Sequence, residues 1–244
     1  MPPVFLTAPA KLTLGLRITD VLKNGHHLID AEMVTVDLHD TLWLDPTGDG
    51  LTVVGGSQDV PVGPDNLVAR ALRLAGRTAA VRVTKRIPSQ AGLGGGSADA
   101  GAILRWAGFK DLVAAAEIGA DVAFCAVGGR AHVSGIGEIV APLEFQPMDL
   151  TLLTPPVGCP TALVYARWDQ MGGPVGDSGN DLEPAAVQAV PALLPFREAL
   201  GNATGQTPRL AGSGSTWFVS GHHPGQNHVL VRTVQAGWSA TDPR

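Results

Sequence analysis

The sequence has few of the residues that define several common protein classes. It has two cysteines, Cys125 and Cys159, with neither metal-site spacing nor a CxxC pair, so we expect two buried thiols in a reducing compartment. No apolar run of about 18 residues occurs, and no basic segment precedes an apolar one near the N-terminus. These absences predict a cytoplasmic protein with no signal peptide and no membrane span.

A basic excess is missing as well. The net charge is −5, and no basic stripe of the kind that binds nucleic-acid phosphates is present, so we expect no nucleic-acid partner. The 244-residue chain is 45% hydrophobic and 16% charged, which is a globular balance with enough length for a large core. Lysine and tyrosine are rare, so each one in a distinctive position carries weight; they are Lys11, Lys23, Lys85, Lys110 and Tyr165.

The remaining sequence mixes strand and helix patterns, which predicts an α+β fold. Apolar and polar residues alternate over Leu12–Ile18, which indicates a half-buried strand with Lys11 at its start. Asn66 follows a proline and an aspartate, a combination typical of a helix N-terminus. A change in composition divides the chain into two predicted domains, residues 1–148 and 149–244.

The strongest local signal is the glycine-rich loop Gly92–Ser97. Consecutive glycines let backbone N–H groups turn toward one point, and a helix predicted from about Ala98 to Trp106 adds unpaired N–H groups and a positive dipole end. Together they predict a phosphate cradle. Ser97 is expected to cap the helix or to contact phosphate or metal, and Asp99 is expected in the first helical turn, where a carboxylate is favoured.

Two other interpretations of this loop remain open. It can be a plain tight turn, or it can approximate the GxGxxG motif of dinucleotide-binding folds. The second fit is poor because Pro88 separates the loop from the preceding strand and no acidic residue ends a strand about twenty residues later. A Walker loop is excluded because no Gly-Lys-Ser/Thr follows.

Three separated segments, in the same order, resemble the GHMP kinases. They are Ala8–Lys11, Ile87–Ser97 and Leu210–Ser215. The chain is further similar to the branch of this family that phosphorylates a cytidine diphosphate derivative of methylerythritol, over segments spread from about residue 6 to residue 219. Those segments are Asn24–Leu28, Asp65–Leu67, Gly119–Phe124, Gly137–Ile139 and Asn180–Pro184.

The resemblance implies a fold, a reaction and partners. The fold is a two-domain GHMP kinase architecture, with a ribosomal-protein-like N-terminal domain and a ferredoxin-like C-terminal domain. The reaction is ATP-dependent phosphorylation of the 2-hydroxyl of the erythritol moiety, with Mg²⁺ bridging the ATP phosphates. The partner is a small-molecule substrate, a cytidine diphosphate derivative, and the expected state is a monomer or weak homodimer.

The same resemblance assigns the catalytic and nucleotide-binding residues. Asp121 accepts the proton of the attacking hydroxyl or orients it, and Lys11 lies beside both. Without the resemblance, Asp121 is more simply the N-cap of a helix, and Lys11 an exposed lysine at a strand end. The nucleotide-binding positions are Asn66, Gly92, Leu93, Gly94, Gly95, Gly96 and Ser97.

The substrate positions implied are Thr13, His26, His27, Tyr165 and Ser213. His27 takes the cytosine-pairing position, His26 replaces the usual stacking tyrosine, and Tyr165 is the opposing aromatic. The competing interpretations are two histidines in a surface turn and a tyrosine packed in a helix. Thr13 stands where the family usually has asparagine, which affects substrate affinity more than reaction type.

Two alternative functions stay open from sequence. One is another GHMP kinase, acting on homoserine, mevalonate or a sugar. The other is a nucleotide-binding module that has lost catalysis, against which the presence of both Lys11 and Asp121 argues, because simple ATP binding needs neither residue.

Overall fold

A computed structural model describes residues 2–56 and 61–240 and shows a mixed fold with two separate β-sheets. The strands are β1 (Val4–Val21), β2 (His27–Asp45), β3 (Gly50–Val54), β4 (Ala80–Thr84), β5 (Arg130–Gly135), β6 (Ile139–Pro142), β7 (Asp149–Leu153), β8 (Arg209–Leu210), β9 (Trp217–Ser220) and β10 (His228–Arg232). The helices are α1 (Leu67–Leu74), α2 (Gly95–Ala107), α3 (Leu112–Ile118), α4 (Val122–Val127), α5 (Thr161–Gln170), α6 (Glu183–Ala189) and α7 (Leu194–Thr204), with a 3₁₀ turn at Pro191–Leu193.

The first sheet is built on a long antiparallel hairpin of β1 and β2. Its path is β3-β4-β2-β5-β6, with β1 paired to β2. The register shifts between Pro9 and Lys11, a bulge at which the backbone N–H of Lys11 donates to the carbonyl of Leu93, 3.1 Å away. Strand β1 begins at Val4, so Lys11 lies inside the strand and the prediction that Lys11 starts it was wrong.

The helix after the glycine-rich loop begins earlier than predicted. Helix α2 starts at Gly95 rather than near Ala98, because Gly94 adopts the left-handed conformation at the N-cap (φ 66°). Ser97 thus lies inside the first turn and does not cap the helix. Asp99 falls in the second turn, where it is buried, so its predicted place in the first turn was also wrong.

The second sheet has the order β10-β7-β9-β8 and begins at Asp149. Its neighbouring residues Trp217 and Phe218 point to opposite faces and are both buried, while Phe124 is a large buried side chain of the N-terminal half. The division at residue 148 stays a prediction, although the first sheet ends and the second begins on either side of it. Sequence reasoning missed α3 and β10, whose short segments carry weak periodicity.

Burial agrees with the expectations for the cysteines and the hydropathy pattern. Cys125 and Cys159 are both buried, and burial raises the pKa of Cys125 to about 12. Across the described ranges, no helix is both long and apolar enough to cross a membrane.

Candidate active site

Lys11 and Asp121 form an ion pair at the centre of the candidate site. Nζ of Lys11 lies 3.2 Å from Oδ2 of Asp121 and donates to the hydroxyl oxygen of Thr13, 3.1 Å away. Asp121 occupies the N-cap position of α4, but its side chain accepts no capping hydrogen bond. The Lys11 side chain is 6% exposed and that of Asp121 is 30% exposed, so the carboxylate is the member of the pair that solvent and ligands can reach.

The glycine-rich loop is pressed between Lys11 and a loop from the C-terminal half. A Cβ placed on Gly94 would lie 2.7 Å from Cγ of Lys11, and one on Gly92 would lie 2.0 Å from the carbonyl oxygen of Ala211. The first turn of α2 then begins at Gly95, and N–H groups of a first helical turn have no intrahelical acceptor. Free N–H groups and the helix dipole make this turn suitable for phosphate.

A cleft of about 620 Å³ brings the predicted residues together. All of them line it except Leu93, which is buried in the core and accepts the backbone hydrogen bond of Lys11 through its carbonyl. Leu93 therefore anchors the loop to β1 rather than facing a ligand. The predicted residues that line the cleft are Lys11, Thr13, His26, His27, Asn66, Gly92, Gly94, Gly95, Gly96, Ser97, Asp121, Tyr165 and Ser213.

Asn66 caps helix α1 beside the cleft. Its Oδ1 accepts from the backbone N–H of Val68 and caps α1, as predicted, while its Nδ2 donates to the carbonyl of Pro61. A role in nucleotide binding stays a prediction for this residue.

The loop that carries Ser213 is held by a buried asparagine. Nδ2 of Asn180 donates to the carbonyls of Leu210 (2.9 Å) and Gly212 (2.7 Å), and its Oδ1 accepts from Leu182 N–H. The sequence predicts Asn180 or Asp181 as the cap of a helix, but α6 begins at Glu183 with no side-chain cap. Its actual effect is to fix the second small-residue loop against the cleft.

His27 and Tyr165 contact each other in the cleft, which His26 also lines. The His27 ring lies 4.7 Å from the Tyr165 ring and 5.5 Å from the Trp168 ring, centroid to centroid, and its Nε2 lies 2.8 Å from Oδ1 of Asp169. His26 is exposed beside them. Burial raises the pKa of the Tyr165 phenol, and the charge of Asp121 adds to this shift, so the hydroxyl keeps its proton.

A second buried charge cluster lies beneath the glycine-rich loop and was not predicted. Nζ of Lys85 bonds to Asp40 and, at 2.7 Å, to Oδ2 of Asp99. Burial raises the pKa of Asp99 to about 7, despite the nearby ammonium of Lys85. Burial also lowers the pKa of Lys85, but the charges of Asp99 and Asp40 outweigh that effect and the net shift is upward. A sequence signal existed, since Lys85 is one of four lysines.

Asp99→Asn is expected to make stability less dependent on pH. An unfolded aspartate ionises near pH 4, so the contribution of Asp99 to the free energy of unfolding is full below about pH 4 and is lost as the pH rises through about 7. The melting temperature of the variant, relative to wild type, should therefore rise between about pH 5 and pH 8. Asp49→Asn, at an exposed carboxylate, is the control. A constant difference for Asp99→Asn over that range would contradict the shift.

Comparisons with known proteins show which family the chain belongs to. The model of the GHMP kinases N terminal domain matches residues 66–129. The 4-diphosphocytidyl-2-C-methyl-D-erythritol kinase of Paracoccus denitrificans is 37% identical over 231 residues, which cover 86% of this chain and 84% of the relative. These matches confirm the family resemblance that the sequence motifs predicted.

Solved structures agree as well. A crystal structure of 4-(cytidine 5'-diphospho)-2C-methyl-D-erythritol kinase superposes with a TM-score of 0.74 at 29% identity, covering 94% of this chain and 99% of that one. A mevalonate pyrophosphate decarboxylase from Streptococcus pyogenes superposes with a TM-score of 0.61 over 98% of both chains, but at 10% identity it is similar in fold alone. The predicted fold class is confirmed, and the chain belongs to the 4-diphosphocytidyl-2-C-methyl-D-erythritol kinases of the GHMP kinase superfamily.

Proposed function

We propose that the chain transfers the γ-phosphoryl group of ATP to the 2-hydroxyl of 4-diphosphocytidyl-2-C-methyl-D-erythritol, a step of non-mevalonate isoprenoid precursor biosynthesis. The observation that carries the proposal is the placement of the Lys11–Asp121 pair. The pair lines the same cleft as the glycines and Ser97 of the phosphate-type loop and as the aromatic residues His27 and Tyr165. The products are ADP and the 2-phosphate.

The nucleotide phosphates fit at the start of α2. The glycines there leave no side chains between the backbone N–H groups and a bound anion, and Ser97 adds a hydroxyl to the lining. No cluster of His, Cys, Asp or Glu in residues 2–56 and 61–240 is able to hold a metal alone. Mg²⁺ fits as an ion held chiefly by ATP phosphates, with Ser97 as a protein oxygen, and when bound it neutralises phosphate charge.

Lys11 and Asp121 supply the chemistry at the acceptor hydroxyl. The Asp121 carboxylate is reachable from the cleft and accepts the hydroxyl proton as the oxygen attacks phosphorus. The adjacent ammonium of Lys11 stabilises both the ionised carboxylate and the developing alkoxide. Thr13 and the backbone carbonyl of Leu93 hold Lys11 in this position, at its side chain and its main chain respectively.

The aromatic part of the cleft fits a nucleobase. His26, His27 and Tyr165 all line it, and aromatic rings pack favourably against a flat base. Ser213, whose hydroxyl is 3.0 Å from that of Thr161, contributes a polar group on the C-terminal side. Such a pocket accounts for a cytidyl group better than for homoserine or mevalonate, which carry no aromatic ring.

The test is ADP release from ATP and Mg²⁺ with 4-diphosphocytidyl-2-C-methyl-D-erythritol, homoserine and mevalonate in separate reactions. We expect turnover with the cytidyl substrate alone, and none when EDTA replaces the metal. Turnover with homoserine or mevalonate would support kinase activity but show that the substrate assignment is wrong. A folded protein that binds ATP but is silent with all three would favour a nucleotide-binding module.

The protein's assembly and location also stay proposals. We propose a monomer or weak homodimer that acts in the cytoplasm on a small-molecule substrate. Sedimentation velocity over a range of protein concentrations tests the first part directly.

A further inference from the structure

Three side chains of helix α5 contact the His27 ring. Tyr165, Trp168 and Asp169 stand at positions i, i+3 and i+4, so they share one face of the helix. The His27 side chain is 10% exposed between them. Because an ionised carboxylate only accepts hydrogen bonds, Nε2 of His27 carries the proton and donates to Oδ1 of Asp169 over 2.8 Å.

This contact joins parts of the chain that are 142 residues apart in sequence. The turn between β1 and β2 has its own hydrogen bonds: Leu22 N–H donates to the His26 carbonyl, and Gly25 N–H donates to the Leu22 carbonyl, both at 2.8 Å. Those bonds set the shape of the turn. They do not set its distance from α5, which depends on the contacts of His27 with Tyr165, Trp168 and Asp169, the last being the hydrogen bond among them.

The ring spacing indicates where a base can enter. The His27 and Tyr165 centroids are 4.7 Å apart, which is direct contact for two aromatic rings. No base fits between rings that already touch, so His27 and Tyr165 form one wall together. His26, the preceding residue of the turn, is exposed and also lines the cleft. The width of the base pocket therefore depends on how firmly His27 is held.

We propose that Asp169 is a positioning residue for the cytidyl substrate, holding His27 so that the turn and Tyr165 keep the separation that admits the base. The proposal rests on the proposed function. Asp169 itself need not touch substrate: it acts through His27, from a side chain that is 48% exposed. An exposed ion pair contributes little to global stability, so the effect is expected in substrate affinity.

The test compares Asp169→Ala with Asp169→Asn in steady-state kinetics and in CDP binding by calorimetry. Loss of one hydrogen bond at a partly exposed site predicts a roughly five- to tenfold rise in KM for the cytidyl substrate and in Kd for CDP with alanine. The turnover number kcat and the KM for ATP should stay within about twofold, because the phosphate loop is untouched. Asparagine keeps an acceptor for Nε2–H and should recover most of the affinity.

Asp30→Ala is the matched control. Asp30 forms a similar exposed pair with His132, 3.0 Å from its Nε2, and neither residue lines the cleft. Asp30→Ala should leave kcat, the KM values for both substrates and the Kd for CDP unchanged. Equal KM values for Asp169→Ala and wild type, or an asparagine variant as weak as the alanine one, would overturn the inference alone. A wild-type protein that neither turns over the cytidyl substrate nor binds CDP would overturn the proposed function and this inference with it.

Discussion

Replacing Asp121 with asparagine is expected to lower kcat by roughly 10²–10⁴-fold, which is the range that general-base catalysis contributes. The amide has nearly the same shape but does not accept the hydroxyl proton. It also removes the negative charge beside Nζ of Lys11, 3.2 Å away. ATP affinity, measured by calorimetry with a non-hydrolysable analogue, should change little, because the phosphate loop is formed by other residues.

Asp111→Ala distinguishes catalysis from helix capping. Asp111 caps α3 through a 3.0 Å hydrogen bond from Ala114 N–H, whereas the Asp121 side chain makes no capping bond at α4. We expect Asp111→Ala to lose about 1 kcal/mol of stability with kcat unchanged. Asp121→Asn should instead lose kcat and keep its free energy of unfolding. If Asp121→Asn kept wild-type turnover, the catalytic assignment would be wrong and the binding-module alternative would gain support.

Gly92→Ala is expected to lower the free energy of unfolding by about 2–5 kcal/mol, the sum of left-handed backbone strain and overpacking. Gly92 has φ 76°, and an added Cβ would lie 2.0 Å from the Ala211 carbonyl and 2.9 Å from that of Gly214. Both neighbours are backbone atoms, which cannot rotate away. The loop must then shift, so turnover should also fall. Denaturant unfolding and kcat, measured where the variant is still folded, test both effects.

Gly108→Ala is the control for that strain. Gly108 has a similar φ of 69° at the C-terminal end of α2, but an added Cβ would meet nothing within 4 Å. Gly108→Ala should lower the free energy of unfolding by about 1–2 kcal/mol, from backbone strain alone, and should keep the wild-type kcat. Equal destabilisation by the two substitutions would show that the contact with the Ala211 loop is unimportant.

Local patterns predicted much of the fold. Asn66 caps α1. The segments Ala131–Val133 and Ile139–Leu143 with the glycine-containing turn between them predict a hairpin, which β5 and β6 form, and the segment Ala162–Trp168 predicts a helix, which α5 covers. Each of these depends on residues close in sequence: a side chain bonding two residues ahead, a tight turn, a helical apolar repeat. Such signals are present in the chain before it folds.

Errors came where distant residues decide the outcome. Lys11 alternates as an exposed strand residue does, yet a bulge and the carbonyl of Leu93 place it in a buried site. The start of α2 moved to Gly95 because left-handed Gly94 lets the helix begin inside the loop. Asp99 looked like a first-turn carboxylate and is a buried partner of Lys85.

The sequence by itself determined the family and the glycine-rich loop, and it predicted Lys11 and Asp121 as the reactive pair, because these are carried by short motifs in a fixed order. The tertiary structure decided how the pair is oriented, which residues support it and how His27 is held by Asp169. The physical reason is that ion pairs and close backbone contacts depend on distances of a few ångströms between segments far apart in sequence, 142 residues in the case of His27 and Asp169. Only the packing of both sheets and their helices sets those distances.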